Sequence, residues 1–171
     1  MSEFRLEPWE EDDLPLLQRL LGDPAMTEHL GGPESPEKIA ERHRKYLGLR
    51  GDSPDKIFKI VDAATGEAVG SVGYWERELP DGTAYETGWS VLPEHQGRGI
   101  ATVGTAQAIE LARAERRHRS LWAYPSVDNA PSNAICRKLG FEVVGVSEYE
   151  YPIDSGNILR CNDWRLELFT A

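Results

Sequence analysis

The sequence has 171 residues, of which 40% are hydrophobic and 28% charged, and its formal net charge is −10. This length suits one domain with its own core, so we expect a single domain over residues 1–171. The composition argues against a disordered or fibrous chain, and the acidic charge argues against binding to nucleic acid or to anionic membranes.

The termini and the cysteines bear on location and cofactors. The N-terminus MSEFRLEPWEEDD has neither the basic nor the apolar region of a signal peptide, and no stretch approaches the length of a membrane span. Cys136 and Cys161 are far apart, with no histidine at metal-ligand spacing. We therefore expect a cytoplasmic protein with reduced thiols and no metal.

The first half of the chain predicts one strand, two helices and three further strands. Apolar residues at helical spacing predict the helices, and Ser35-Pro36 marks the start of the second one. Short turns join the three later strands, which predicts an antiparallel meander. The predicted ranges are a strand over residues 3–9, helices over 11–21 and 35–47, and strands over 56–61, 68–77 and 84–92.

The second half alternates between helices and strands. Apolar residues from Ile100 to Leu111 predict a helix of about four turns, and Gly140 ends a later helix. The predicted ranges are strands over residues 120–124, 141–146 and 164–169 and a helix over 130–139. This order predicts an α/β fold of the α+β type, whose mixed sheet is antiparallel at first and has a parallel pair near its middle.

The most informative segment is Gln96-Gly97-Arg98-Gly99-Ile100-Ala101, which follows a predicted strand and begins a helix. A helix N-terminus carries unpaired backbone N–H groups and partial positive charge, so a diphosphate fits there. The glycines let the backbone approach phosphates closely. Thr102 adds a hydroxyl donor and Arg98 a positive charge. A tight strand-to-helix turn without a ligand is the alternative for this segment taken alone.

Two common phosphate-binding loops do not match. The segment lacks the Lys-Ser/Thr ending of the P-loop, which argues against hydrolysis of nucleoside triphosphates. It also lacks the third glycine of GxGxxG, which argues against a Rossmann dinucleotide site. An anion cradle of another kind remains.

At this point the sequence resembles the GNAT acetyltransferases. Gln96-x-x-Gly99-x-Ala101 is similar to the (Arg/Gln)-x-x-Gly-x-(Gly/Ala) signature of that superfamily. A second segment, Asn129-Ala130-Pro131-Ser132 followed by Arg137-Lys138-Leu139-Gly140-Phe141, is similar to the family's other signature. Ser132, the first strand and the closing NDWRLEL resemble the subgroup that includes the ribosomal-protein alanine N-acetyltransferases. The resemblance is strong over residues 84–142.

The resemblance implies a central sheet splayed into a V that takes up the pantetheine arm of acetyl-CoA. It also implies the cofactor contacts. Backbone near Ser90 and Val91 and the side chains of Asn129 and Ser132 would hold pantetheine. Backbone from Gly97 to Thr102, which includes Arg98, Gly99, Ile100 and Ala101, would hold the pyrophosphate.

Acetyl transfer to an amine needs a group that accepts a proton and one that protonates the leaving thiolate. Glu86, about ten residues before the Gln of the loop, is the candidate base. Its alternative is a structural carboxylate bonded to a neighbouring strand or to an arginine. Relatives often place a tyrosine as general acid where this chain has Cys136, so Cys136 and Ser132 are the candidate acids. Their alternatives are a buried structural thiol and a helix N-cap.

Three functions stay open on the sequence. The first is an acetyl-CoA-dependent N-acetyltransferase acting on a primary amine, either a protein N-terminus or a small molecule, as a monomer or homodimer. The second is an acyl-CoA-binding sensor or regulatory module without catalysis, which the loss of the tyrosine favours. The third is an unrelated α/β phosphate-binding protein.

Overall fold

The computed structural model describes residues 3–170. Within them the chain forms seven strands and four α-helices. In chain order they are β1 (Phe4–Pro8), α1 (Leu14–Gly22), α2 (Pro36–Leu47), β2 (Lys56–Asp62), β3 (Ala68–Leu79), β4 (Gly82–Val91), α3 (Ile100–Glu115), β5 (Ser120–Ala123), α4 (Ala130–Lys138), β6 (Glu142–Glu150) and β7 (Ile158–Glu167).

The strands form one mixed sheet in the order β1-β2-β3-β4-β5-β7-β6. β1 to β4 pair antiparallel with their neighbours, as do β5 with β7 and β7 with β6, whereas β4 and β5 are parallel. The predicted meander and the predicted parallel pair are therefore confirmed.

Helices cover both faces of the sheet. Buried residues of α3, such as Ile100 and Ala108, pack with the sheet in the main core cluster. A second cluster joins α1 and α2 to Ile57 and Leu92. The second helix begins as predicted, because the Ser35 hydroxyl accepts a hydrogen bond from the backbone N–H of Lys38 at 3.3 Å.

The sheet opens between β4 and β5. These strands pair only at Tyr85 with Leu121 and at Glu86 with Trp122. β4 continues to Val91, but β5 ends at Ala123. The second half of β4 is therefore paired with β3 on one side and open on the other, which is the splayed geometry that the resemblance implied.

The last two strands are longer than predicted. β6 continues to Glu150 and β7 begins at Ile158, well before the predicted start at residue 164. Val143, Val144 and Val146 are about half exposed on this edge strand, at 54%, 55% and 47%. Because no layer formed by residues 3–170 covers these valines, this strand lacks the apolar alternation that marks a half-buried strand. No helix among residues 3–170 is both long and apolar enough to cross a membrane.

Candidate active site

The loop after β4 is an open concave turn. Gly97 and Gly99 have φ angles of +78° and +76°, and a Cβ atom placed on either would meet nothing within 4 Å. Gly99 is the N-cap of α3 and provides no side-chain cap. The amides of the first turn therefore keep the hydrogen-bonding capacity that an anion needs.

The side chains of this loop anchor it at both ends. Gln96 Nε2 donates to the backbone oxygen of Val91 at 3.0 Å, so the loop is tied to the end of β4. The Ile100 side chain is buried in the core, and Ala101 packs against it. These residues can meet a ligand through their backbone. Thr102, half-buried in the same turn, also offers a hydroxyl.

Arg98 is held beside the loop and leaves it open. Its Nη1 lies 3.2 Å from His95 Nδ1, and its Nη2 lies 3.9 Å from a carboxylate oxygen of Asp62. The side chain is 47% exposed. It can therefore turn toward a phosphate at the cost of a weak, solvent-screened ion pair.

The open edge of β4 is formed by alternate residues. The N–H of Leu92 bonds to Val69 on β3. Because backbone groups alternate between the two sides of a strand, those of Ser90 also face β3, whereas those of Val91 and Trp89 face the opening. The geometry thus favours Val91 and Trp89 for backbone contact with pantetheine. The sequence did not predict Trp89 as a backbone contact for pantetheine. Which β4 residues face the opening depends on the β3–β4 register.

Helix α4 brings two predicted residues to the opening. Asn129 is its N-cap, and its Oδ1 accepts from the backbone N–H of Ser132 at 3.2 Å. The alternative that Ser132 caps this helix is therefore wrong. Its hydroxyl instead accepts a hydrogen bond from Trp89 Nε1 at 3.3 Å, which links α4 to β4. The Ser132 hydroxyl keeps its own proton to donate.

The position of α4 depends on a residue that the sequence analysis missed. Asn133 is buried, and its Oδ1 accepts from Trp164 Nε1 at 2.8 Å and from Asn162 Nδ2 at 2.9 Å. Its amide donates to the backbone oxygens of Ser126 and Asn129. This network fixes the start of α4 against β7. The only local signal was a polar residue on the core face of a predicted helix.

Cys136 lies in the core and away from the opening. Its side chain is fully buried in the main core cluster. Burial raises the pKa of its thiol to about 12. Its burial favours the structural thiol that the sequence left open as the alternative to a general acid.

Glu86 lies on the other face of β4. It is three residues from Trp89, so the two side chains point to opposite faces. Glu86 Oε1 lies 2.6 Å from Arg77 Nη1, and its side chain is 20% exposed. Burial raises the pKa of its carboxyl group above the ordinary value. The ion pair with Arg77 and a hydrogen bond from Trp75 offset only part of that rise. The arginine partner left open from the sequence is thus present.

Aromatic residues surround this ion pair. The Arg77 guanidinium lies 4.5 Å from the centre of the Tyr124 ring and 5.2 Å from that of Tyr149. The Tyr149 hydroxyl donates to Asp163 at 2.9 Å, and burial raises the pKa of that hydroxyl to about 12. No local sequence signal predicts this cluster, because Arg77 lies on β3, Tyr149 on β6 and Asp163 on β7, while Tyr124 directly follows β5.

A cavity of about 210 Å³ lies elsewhere, between the α1–α2 loop and the β6–β7 loop. Arg42 and Glu34 form an ion pair beside it, and the Tyr151 hydroxyl lies 3.4 Å from each. None of the predicted site residues lines this cavity. Within residues 3–170, no cluster of three or more His, Cys, Asp or Glu is placed to hold a metal ion.

Comparison of the sequence with protein-family models identifies the family. The family model described as "Acetyltransferase (GNAT) domain" matches residues 3–142, which is more than half of the chain. The chain belongs to the GNAT acetyltransferase family. It is therefore an acyltransferase, and the resemblance stated from the two signatures is confirmed.

Solved GNAT structures share the fold over nearly the whole chain. Ribosomal-protein-S5-alanine acetyltransferase from Vibrio fischeri has a TM-score of 0.78 at 18% identity, covering 98% of this chain and 94% of that one. Spermidine N-acetyltransferase from Vibrio cholerae, in complex with CoA and spermine, has a TM-score of 0.79 at 19% identity, covering 98% and 97%. The protein yncA from Salmonella typhimurium, with its cofactor acetyl-CoA, has a TM-score of 0.77 at 17% identity, covering 99% and 96%. Curated proteins yield no sequence match.

The residues of this GNAT chain fit acetyl-CoA. The turn at Gly97 and Gly99 is open where a Cβ would stand, so the amides up to Thr102 would hold the pyrophosphate. Backbone groups of Trp89 and Val91 would bond the pantetheine arm, with Asn129 and Ser132 on the α4 side.

Proposed function

We propose that this chain is an acetyl-CoA-dependent N-acetyltransferase that transfers an acetyl group to a primary amine. The acceptor is a protein N-terminus or a small-molecule amine. One observation carries the proposal. The open half of β4 runs from the end of its pairing with β5 at Glu86 to the amide cradle. Two polar side chains flank it on opposite faces, Glu86 on one and Ser132, through Trp89, on the other.

Bound acetyl-CoA supplies a thioester carbonyl that an amine can attack directly. The nitrogen–carbon bond forms, the carbon–sulfur bond breaks, and the amine loses a proton. A lysine-like amine has a reference pKa of about 10.4, so it arrives protonated at neutral pH. The chain must therefore accept a proton before or during the attack.

Glu86 is our candidate for that proton acceptor, directly or through a water molecule. Its ion pair with Arg77 favours the charged carboxylate, which is the form that a base needs. The same ion pair lowers its basicity, so positioning of the amine supplies much of the rate.

Ser132 is our candidate for the group that protonates the departing thiolate. Its hydroxyl accepts from Trp89 and can donate a hydrogen bond to the thiolate. The thiolate takes up that proton while water returns one to the serine oxygen. Because Glu86 faces the other side of β4, the proton acceptor and the proton donor stand on opposite sides of the strand. A backbone N–H on the open edge of β4 near Val91 would stabilise the oxyanion.

Calorimetry with acetyl-CoA, followed by thiol release with a panel of amines and N-terminal peptides, tests the proposal. We expect acetyl-CoA binding and thiol release on at least one acceptor. Binding with no release on any acceptor would favour the sensor without catalysis. Absence of binding would overturn the assignment of the cradle.

A further inference from the structure

The face of β4 that carries Glu86 is covered by an indole. Side chains alternate along a strand, so this face carries Ser90, Gly88 and Glu86 in order from the cradle. Trp75 on β3 pairs with Glu86. A Cβ placed on Gly88 would lie 3.0 Å from Cη2 of Trp75. The glycine therefore leaves room for the six-membered ring of Trp75, which lies over the strand between Ser90 and Glu86.

The same indole also contacts the candidate base. A hydrogen bond from Trp75 reaches the Glu86 carboxylate, which also accepts from Nη1 of Arg77 at 2.6 Å. The acetyl carbonyl would lie at the open edge of β4 near Val91, so Gly88 lies between it and Glu86. On this face, a nucleophile that loses its proton to Glu86 while it attacks the carbonyl stands over Gly88. The Trp75 ring occupies that place.

Little packing holds the Trp75 ring over the strand. Its side chain is partly exposed, and it belongs to neither of the two core clusters formed within residues 3–170. By contrast, Trp164 is buried in the main core cluster, and Trp122 stacks on Tyr124. An incoming ligand can therefore displace the Trp75 ring at the cost of an edge contact and one hydrogen bond.

We propose that Trp75 is a positioning residue that keeps Glu86 and the thioester apart until the acceptor displaces its ring from Gly88. This proposal rests on the amine acetyltransferase activity proposed above. The acceptor amine takes the place of the ring and then meets both the carbonyl and Glu86. While no acceptor is bound, the ring excludes water from that place, which prevents hydrolysis of acetyl-CoA by the same base.

Removal of the ring should therefore create a hydrolase. In Trp75→Ala a water molecule can stand over Gly88, and its oxygen bonds to the carbonyl carbon while Glu86 accepts one of its protons. The carbon–sulfur bond then breaks, the thiolate takes a proton back, and acetic acid and CoA leave. We expect thiol release from acetyl-CoA without any acceptor to rise about 10-fold or more over the wild type, because a positioned general base contributes at least that much.

Two further variants assign this hydrolysis to the proposed water. Trp75→Ala combined with Glu86→Gln should return thiol release without acceptor to the wild-type level, since the water then lacks its base. Trp122→Ala is the matched control. Trp122 pairs with Glu86 from β5, but its Nε1 donates to Ser120, so its loss should leave hydrolysis as in the wild type. With an acceptor present, thiol released in excess of acetylated amine measures hydrolysis.

Trp75→Leu keeps an apolar side chain on β3 without the ring, and it decides the test if Trp75→Ala does not fold. Unchanged hydrolysis in the folded variants, an equal rise in Trp122→Ala, or a rise that persists without Glu86 overturns the proposal. Amine acetylation by the wild type without this rise leaves the proposed function standing. If the wild type acetylates no amine, the proposed function is overturned, and the displacement of Trp75 by an acceptor with it.

Discussion

The indole N–H of Trp89 donates to the Ser132 hydroxyl at 3.3 Å and so joins β4 to α4 across the opening of the sheet. The bond orients Ser132 and leaves its proton available. Asn129 caps the same helix through the Ser132 amide. The position of Ser132 is thus fixed by the Asn129 cap on its backbone and by the Trp89 indole on its side chain.

We expect Ser132→Ala to lower kcat about 10- to 100-fold, with acetyl-CoA affinity nearly unchanged, because a positioned proton donor contributes at least that much. Steady-state kinetics and calorimetry measure the two effects. The matched control is Ser120→Ala, since the Ser120 hydroxyl accepts from Trp122 Nε1 at 3.1 Å. Ser120→Ala loses the same kind of bond but should keep its kcat. Equal kcat in wild type and Ser132→Ala would show that Ser132 does not protonate the thiolate.

The charge state of Glu86 gives a pH prediction. Burial raises its pKa above the ordinary value of 4.5, and Arg77 opposes that rise. A base works when unprotonated, so kcat should fall as the pH decreases through this raised pKa. Glu86→Gln should lower kcat about 100-fold and abolish the acid limb. Arg77→Met should move that limb to higher pH.

The same shift has a consequence for stability. A carboxyl with a raised pKa in the folded state favours folding when protonated, and this contribution is lost as the pH rises from 4.5 through the raised value. Glu78→Gln, at an exposed carboxylate bonded to Thr83, is the control for both measurements. A pH–rate profile of Glu86→Gln that matches the wild type would place the base elsewhere.

Local sequence predicted the parts of the site that lie within one short segment. The turn at Gly97 and Gly99 depends on neighbouring residues, because glycine conformation is a local property. The start of α4 was also predicted, but its N-cap is Asn129 and not Ser132, the cap that the sequence offered. The glycine turn and the start of α4 are thus where the motifs placed them.

The rest of the site depends on register. Arg77, Tyr149 and Asp163 meet because β3, β6 and β7 align in one sheet, and no pattern within a single strand fixes that alignment. The same holds for Ser90 and Trp89. Which of them turns its backbone toward the opening depends on a pairing of β4 with β3 that one residue of slip would reverse.

Substitution of Cys136 tests the two interpretations that the sequence left open, a general acid and a buried structural thiol. Because its side chain is fully buried, we expect Cys136→Ala to keep kcat within about twofold while lowering the free energy of unfolding by about 1 kcal/mol. Kinetics and denaturant unfolding measure the pair. Loss of kcat without loss of stability would instead support the thiol as general acid.

The cradle can be tested with a matched pair of glycines. Gly99 and Gly66 both have a φ of +76°, and a Cβ on either meets nothing within 4 Å. Gly99→Asp should weaken acetyl-CoA binding about 10-fold or more, because a carboxylate would meet the pyrophosphate where the amides attract it. Gly66→Asp carries the same backbone strain on the β2–β3 turn and should bind normally. Equal affinities in the two variants would contradict the cradle.

Gly70 on β3 lies against the backbone of β4 on the side away from its open edge. A Cβ on Gly70 would lie 2.3 Å from the backbone oxygen of Ser90 and 3.2 Å from the Cα of Val91. Both contacts are with backbone, so no side chain can move aside. We expect Gly70→Ala to displace this part of β4, to destabilise the fold by about 1–3 kcal/mol, and to weaken acetyl-CoA binding.

Gly145→Ala is the control for Gly70→Ala, since a Cβ there comes no closer than 3.4 Å, to a carboxylate oxygen of Asp163. Thermal unfolding and calorimetry on both variants separate the effects. If Gly70→Ala loses stability but binds acetyl-CoA as the wild type does, the backbone of Val91 is not part of the pantetheine site. If it loses both and Gly145→Ala loses neither, the spacing of β3 and β4 sets the geometry of the opening that receives the cofactor.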